Sequence, residues 1–564
     1  MQYIFRQRGD KMKIRSNDTV YGIGIDTGGT YTDAVLFDLL EHQVISVSKR
    51  PTIHHCLELS IVQALDDIFP VGKAEAVRKI AVSTTLATNA IAEGRMSRVG
   101  LIVIGRVKPF DAPVVSVRYV EGGHDHLGKE VTPLNVEQIV DAVDGFKGHV
   151  DAYAIAASLS IENQTHEQVA AKAIELVDRK PVVCSSGVSS KAGIRERAST
   201  AVLHAGLMPV IQGFVKQVNQ LKKDRFLTSD IRIIRGDATA DNLTQAVSRA
   251  ANTVASGPAA TAYFGAKSTA ARLAMVVDVG GTTTDITFIK NGKPVVSNEG
   301  SVIDRWQTHI NAVDIHTVGV GGDSLVRLNR SGQLTLGPLR VQPLAMAQGI
   351  PDPAIWIGEE NRSRWIISVN SKQPVQTDAL DPIIAHLLRE GGATPADLIV
   401  HLGMSDFGLD RRLEDLAFKN HVSAVGFTPT DALHVLGKSQ IGDTAASIAG
   451  ARILADLRGE TIEAFSKAVL EMTHQKIADA ILKYAFTKQT GKPMEAFSTV
   501  NQGVPLFSCS FKLEVPIVGI GAAARHLLPE VADRLHTRAV FPPHFEVGNA
   551  LGAIMIALNG EREK

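Results

Sequence analysis

The sequence predicts an α/β protein built as two related lobes with a nucleotide cleft between them. Three observations predict it. Strand-like and helical segments alternate along the chain, the pattern of helices packed on sheets. A small glycine-rich stretch occurs twice, as GIDTGGTYTD at 24–33 and DVGGTTTD at 278–285, with six of eight positions shared from Asp26 to Asp33 and Asp278 to Asp285. The chain also has 564 residues, more than the roughly 250–300 that one core supports.

Composition narrows the function classes. Lys+Arg and Asp+Glu both number 59, so no global field favours nucleic acid or an anionic membrane. Aromatics at 5% argue against a base-stacking surface. Cys56, Cys184 and Cys509 form no CxxC pair; they read as buried free thiols in a reducing compartment. MQYIFRQRGDKMKIRSNDTV lacks a signal-peptide core, and no apolar run reaches the roughly 18 residues of a membrane helix. The expectation is a cytoplasmic, enzyme-sized protein with neither nucleic acid nor membrane as partner.

The elements follow in order. Residues 1–19 read as an N-terminal tail. Residues 20–265 read as the first lobe with an insertion, and 266–564 as the second, with an insertion at about 332–450. Strand-like runs flank each repeat, Val20 to Ile25 and Ala34 to Phe37, then Ala274 to Val277 and Ile286 to Ile289. Each unit is thus a β-hairpin whose glycines are expected to supply positive φ. Lys79 to Ser83, Val99 to Gly105 and 151–160 read as buried strands. Helical patterns occupy about 57–69, 135–146, 165–178, 192–220 and 241–251, the fourth broken by Gly206 and Pro209. Ser256 is expected to cap a helix with Pro258 in its first turn. Beyond 378 the pattern is helical at 378–390, 429–436, 442–457 and 459–484. The chain closes with a strand at 515–520, a helix, a strand at 538–541 and an apolar helix at 548–558.

The repeated hairpin fits a phosphate chain. Gly28-Gly29 and Gly280-Gly281 let a backbone of N–H donors approach an anion closely, and Thr27, Thr30, Thr282 and Thr283 carry hydroxyls. Asp26 and Asp278 suit Mg²⁺ held through water, or the orienting of a nucleophile. One copy alone is more often a tight turn; two copies facing each other grip a phosphate from both sides. Asp33 and Asp285 read as carboxylates satisfying turn amides. ALHVLGKS at 432–439 lacks the first glycine of a Walker loop. GIGAAA at 519–524, with Gly519, Gly521 and Ala522, follows a strand and suits contact with adenosine.

These residues resemble the actin-like, sugar-kinase and heat-shock ATPase superfamily, whose lobes have a ribonuclease H-like fold. Within it the chain resembles the hydantoinase/oxoprolinase A-type subunits. The closer resemblance rests on STTLATNAI (83–91), GGHDHLGKE (122–130), GIRERASTAVLHAGL (193–207), ASGPAATAYFGA, DIHTVGVGGDS, FTPTDALHVLG (427–437) and VGNALGA (547–553), besides the two hairpins. It implies ATP- and Mg²⁺-dependent opening of a small cyclic amide such as 5-oxoproline or a hydantoin. It also implies a companion B-type subunit or a homo-oligomer, and it adds Gly319, Gly321 and Gly322 to the nucleotide set. The family usually reads GGGS where this chain has Gly321-Gly322-Asp323-Ser324, and commonly asparagine at His204.

Substrate-side candidates are Thr84, Thr85 and Asn89 after a buried strand, each threonine alternatively a helix cap. His124 and His126 flank Asp125 in a glycine-bordered loop. Asp314 and His316 precede the glycine-rich turn and suit a general base or a structural pair. His54-His55-Cys56 reads as structural. Two other functions fit the same fold, a small-molecule kinase and an ATPase chaperone that reactivates a partner enzyme.

Overall fold

The computed structural model describes residues 20–29, 31–53, 56–69, 74–225, 229–297, 299–358, 362–369, 381–418, 421–440, 442–494 and 511–560. The tail, Thr30, His54-His55 and Cys509 lie outside them. Two sheets share one topology. In the first, Gln43–Pro51, Tyr31–Asp38 and Tyr21–Thr27 form an antiparallel meander, and Val77–Thr84 and then Asp230–Ile234 add in parallel. In the second, Thr284–Lys290 pairs antiparallel with Leu273–Val279, and Ile517–Ile520 and Ala539–Val540 add in parallel. Both keep the order of a ribonuclease H-like lobe, a hairpin at the centre with parallel strands on one side. The fold is therefore the duplicated, actin-like ATPase arrangement.

Two insertions elaborate it. Between Val77–Thr84 and Asp230–Ile234 lies a four-stranded parallel sheet, ordered Val182–Cys184, Ala152–Ala157, Val99–Ile104, Ser116–Val120. Its two central strands, Ala152–Ala157 and Val99–Ile104, are apolar throughout, as burial on both faces requires. The 32-residue helix Ile194–Arg225 packs against it and against the first lobe. That helix passes unbroken through Gly206 and Pro209, and the Ser97 N–H donates to the Gly206 carbonyl at 2.9 Å. By length and composition it is apolar enough to span a membrane, contrary to the sequence expectation. Ser199, Thr200 and His204 had interrupted the apolar run, yet all three are buried within the protein. After the second hairpin come a two-stranded sheet, Ser324–Leu328 with Leu334–Arg340, and the sheet Gln342–Pro343, Val422–Gly426, Arg364–Ser368 with its helices.

The lobes are joined by two helices, Ser256–Lys267 and Gly548–Asn559. One buried cluster contains Val35 of the first sheet, Val276 and Ile520 of the second, and Ala260, Phe264, Leu551 and Ile554 of these helices. Their approach is backbone to backbone: a Cβ on Gly552 would lie 1.8 Å from the Ala260 carbonyl oxygen, and one on Gly24 would lie 2.0 Å from that of Ala550. Ser256 does not cap its helix. Ala255 occupies the cap in a left-handed conformation, and the Ser256 hydroxyl accepts from the Thr84 N–H at 3.0 Å and donates to the Thr84 carbonyl at 2.9 Å. The joining helix is thereby pinned to the first sheet. Residues 299–313 form a second tie, burying Ile303 and Ile310 in the first lobe's core.

Gly552→Ala is expected to lower the melting temperature by an amount corresponding to about 1–3 kcal/mol, the usual range for overpacking. Gly213→Ala, where a Cβ meets nothing within 4 Å in the middle of a helix, is expected to be neutral or stabilising. Thermal denaturation of both variants checks the contrast.

Candidate active site between the two hairpins

Register fixes the chemistry of the hairpins. Asp26 lies directly opposite Asp33, and Asp278 directly opposite Asp285. Each turn is closed by the same bond, Gly28 N–H to the Tyr31 carbonyl and Gly280 N–H to the Thr283 carbonyl, both 3.0 Å. The four turn glycines do not use positive φ, contrary to expectation; at the second turn they serve close approach. A Cβ on Gly281 would lie 2.2 Å from an Asp323 carboxylate oxygen, and one on Gly321 would lie 2.5 Å from the Gly280 carbonyl oxygen.

Asp26 is buried. Its carboxylate accepts from the Ser83 hydroxyl at 2.5 Å and from the Asn549 amide at 2.8 Å. Burial pushes its pKa up to about 6, against the pull of Ser83. Asp278 is pushed up to about 7, first by burial and then by the neighbouring Asp285 charge, with Asp26 adding to the effect. Asp33 is raised by burial and opposed by Lys49, whose ammonium bridges both its oxygens at 2.9 Å. Asp285 is raised by burial and accepts from the Thr317 hydroxyl at 2.6 Å. The expectation that Asp33 and Asp285 satisfy turn amides gives way to these side-chain partners. Lys49 lowers the pKa of both Asp26 and Asp278, so the two hairpins face one electrostatic space.

The glycine-rich turn 319–323 packs on the second hairpin. Gly322 N–H donates to the Gly280 carbonyl at 3.0 Å and Asp323 N–H to the Gly281 carbonyl at 2.8 Å. Gly322 also abuts Thr430 and Ala523, and the Thr430 hydroxyl donates to the Gly322 carbonyl at 2.8 Å. Gly319, Gly321 and Gly322, the second hairpin and the turn 521–523 are thus brought to one wall. Gly521 has φ +93°, and a Cβ there would lie 2.5 Å from an Asp278 carboxylate oxygen. Ala522 is at the same turn. Thr282 and Thr283 sit half-buried at the second tip.

Five expected residues are placed differently. Thr27 is buried and its hydroxyl donates to the Ser83 carbonyl at 3.4 Å, so it faces the sheet and not the turn. Thr84 is buried, and its hydroxyl accepts from the Leu86 N–H at 3.2 Å; the cap position of the helix that follows is Thr85, which makes no side-chain capping bond. A Cβ on Gly519 would lie 2.5 Å from Phe541, so that glycine faces the interior and not the cleft. The Asp314 carboxylate is taken by the Lys488 ammonium and the Tyr484 hydroxyl, while His316 stacks on the Tyr484 ring at 5.8 Å; this is the structural pair. Asn89 does reach the first hairpin, its amide 3.9 Å from a Cβ position on Gly29, and bonds the Thr85 hydroxyl. His124 lies in the insertion, its ring 4.1 Å from that of His166, which bonds Glu130. Burial lowers the His124 pKa. His204 is buried, accepts the Ala251 N–H, and is lowered to about 3 by burial.

Sequence reasoning missed Ser83, Lys49, Asn549 and Thr261, whose side chain hydrogen-bonds Asp278. Ser83 and Asn549 lie within stretches that carried the family resemblance, so their presence was signalled and their chemistry was not. Lys49 stands in an ordinary alternating strand. Among the described residues no three His, Cys, Asp or Glu side chains converge as a metal cage. Asp26 and Asp278 instead offer a hard cation two carboxylates, the number Mg²⁺ takes while keeping several waters.

Fold and site together define a two-lobed α/β protein of actin-like architecture. The chain belongs to the hydantoinase/oxoprolinase family: the family's N-terminal-region model matches residues 22–177 and its hydantoinase/oxoprolinase model matches 197–405. It is 29% identical to the caprolactamase subunit alpha of Pseudomonas jessenii over 356 residues, 56% of this chain and 50% of that one. It is 28% identical to the acetophenone carboxylase gamma subunit of Aromatoleum aromaticum over 375 residues, 58% and 50% of the two chains. The chain spans about half the length of these curated relatives. Its fold resembles a nucleotide-free acetone carboxylase structure, with TM-score 0.66 and 16% identity over 95% of this chain and 70% of that one. It also resembles the ATP-dependent caprolactamase of P. jessenii, with TM-score 0.61 and 20% identity over 94% and 70%.

Asp26 holds its proton to about pH 6 when folded, against 3.8 for a free side chain. Ionising it costs stability, a cost absent below the free value and complete once pH exceeds the folded one. Asp26→Asn is therefore expected to stabilise the protein at pH 8, by about 1–3 kcal/mol, and to leave it unchanged near pH 4. Melting curves at the two pH values check this; an equal shift at both contradicts it.

Proposed function

We propose that the chain is the ATP-hydrolysing component of an enzyme that opens a small cyclic amide. The observation that carries the reading is the pair of buried carboxylates, Asp26 and Asp278, one on each phosphate-type hairpin, both raised toward neutrality and near enough for the Asp26 charge to act on Asp278. Family membership and the resemblance to a caprolactamase subunit support the amide class. In this reading Mg²⁺ is held through water by Asp26 and Asp278 and supplies charge neutralisation for a transferred phosphoryl group. Gly28, Gly29, Gly280 and Gly281 bring backbone to the phosphates, and the wall of Gly322 and Gly521 receives the nucleoside. The amide oxygen takes the γ-phosphoryl group, ADP departs, and the carbon becomes open to water. One water adds and the ring nitrogen leaves that carbon to give an acyl phosphate, a second water displaces the phosphate, and the sum is lactam plus ATP plus two waters giving amino acid, ADP and phosphate. A carboxylate with a pKa near 6 or 7 can accept a proton at neutral pH.

Both named relatives are subunits, which supports a companion subunit here. A reducing cytoplasmic setting accords with Cys56 and Cys184 being free thiols.

Incubation with Mg-ATP and a panel of lactams, hydantoins and polyols is expected to release ADP and phosphate together, only with a cyclic amide and with ring opening. ADP without phosphate would indicate a kinase, and slow substrate-independent turnover a chaperone-type ATPase. Asp26→Ala and Asp278→Ala are each expected to reduce turnover by ~10²-fold or more; parent-like rates in both would refute the site.

A further inference from the structure

One helix meets both carboxylates of the cleft. A Cβ on Gly257 would lie 3.1 Å from an Asp26 oxygen, and the side chain of Thr261 hydrogen-bonds Asp278. The two residues are four apart in Ser256–Lys267, so they lie one above the other on the same face. At 1.5 Å per residue their separation along the axis is about 6 Å. The attachment of this helix to the lobes follows the same order. The Ser256 hydroxyl is bonded to the Thr84 backbone of the first sheet. Four residues beyond Thr261, a Cβ on Gly265 would lie 2.4 Å from Val276 of the second sheet. The helix thus starts on the first lobe and continues along the second, and one rigid turn separates its contacts with Asp26 and Asp278.

Thr261 differs from its neighbours in this helix. From Ala259 to Ala266 the other buried residues are Ala, Tyr, Phe and Gly, and Thr261 is 2% exposed. A buried hydroxyl is costly unless it is hydrogen-bonded, and a helical threonine has a partner at hand in the carbonyl four residues back. Thr200 and Thr473, buried in other helices, take that partner at 2.6 and 2.8 Å. The Thr261 side chain goes to the carboxylate on the second hairpin instead. Ser83 and Asn549 serve the Asp26 carboxylate in the same way.

We propose that Thr261 is a positioning residue for the divalent cation: its hydroxyl fixes the Asp278 carboxylate one helical turn from Asp26, so that both carboxylates address one hydrated ion. The inference rests on the reading of Asp26 and Asp278 as the pair that holds Mg²⁺, and it names what sets their geometry. Thr261 acts through Asp278 and touches neither cation nor nucleotide. An apolar side chain of the same shape leaves Asp278 free to turn. The cation then loses one oriented carboxylate, while the backbone of both hairpins stays in place for the phosphates.

The test is calorimetry of ADP binding to the full chain over a range of Mg²⁺ concentrations, with melting curves to establish that each variant is folded. Thr261→Val keeps the shape and removes the hydroxyl; Thr261→Ala removes it with a residue that the helix already carries on either side; Thr261→Ser retains it. The Val and Ala variants are expected to raise the Mg²⁺ concentration for half-maximal ADP binding roughly 10- to 100-fold, the usual cost of losing a group that orients a metal-binding side chain. Their ADP affinity at saturating Mg²⁺ is expected to match the parent's, and Thr261→Ser is expected to keep the parent's Mg²⁺ midpoint. A merely structural defect would instead weaken ADP binding at every Mg²⁺ concentration. Parent-like midpoints without the hydroxyl, or an equal shift in Thr261→Ser, overturn the proposal. ADP binding that ignores Mg²⁺ in the parent overturns it together with the cation reading of Asp26 and Asp278. No measurement depends on lactam turnover, so a failure of amide opening leaves the role of Thr261 standing.

Discussion

The buried carboxylate of Asp26 is the constraint around which the lobes are arranged. Its partners come from distant parts of the chain: Ser83 from the neighbouring strand and Asn549 from the last helix. A buried charge is costly unless its lone pairs are filled, so this one carboxylate requires both lobes to meet at one point. The helix that brings Asn549 must then run close beneath the hairpin, and only a glycine at position 24 leaves room for the Ala550 carbonyl. The same helix meets its partner through Gly552 against Ala260. Small residues along GNALGA therefore follow from the need to bury Asp26 at a lobe junction.

Duplication has not made the two hairpins equal. Both place aspartates opposite one another, an arrangement that like-charge repulsion disfavours. The first hairpin offsets it with Lys49 on the adjacent strand, whose ammonium sits between the Asp33 oxygens. The second has the Thr317 hydroxyl at Asp285, which stabilises an anion far less than a cation does. Asp26 and Asp278 are both raised, first by burial, and the aspartate opposite adds to each. An ionised cleft with four aspartates and Lys49 carries excess negative charge. That imbalance is what a divalent cation in the proposed reaction would relieve.

The sequence revealed the hairpins, the two-lobe duplication and most helices, because each is a local pattern. Repeated glycines and aspartates survive in any register, and Pro429 after Thr428 marks a helix start by capping chemistry alone. What stayed hidden depends on contacts between distant segments. Ser256 read as a cap, yet its hydroxyl is spent on Thr84, 172 residues away. Thr27 read as a phosphate ligand, but strand alternation turns it inward toward Ser83. The turn glycines read as conformational necessities; at the second hairpin the reason is Asp323 and the Gly280 carbonyl, neither visible without the turn 319–323 folded back. Asp314 looked available as a base only because Lys488 is far away in sequence.

The uneven legibility has a physical origin. Gripping a phosphate chain calls for backbone approach without side-chain bulk, and few residue patterns allow it, so the motif recurs within the chain and resembles distant proteins. The proposed ring substrate would be bounded by side chains from the insertions, where many sequences fill the same space. In the insertion Ser158 and Ser185 follow the ends of two parallel strands, and it is tied to the second lobe by Ser189 and Lys191 through His309 and Asn311. Those contacts lie on residues 299–313, whose Ile303 and Ile310 are buried in the first lobe. Rotation of the second lobe therefore cannot occur without disturbing the insertion. In the proposed reaction any movement of the second lobe would be felt in the insertion through residues 299–313, a segment that carries no motif.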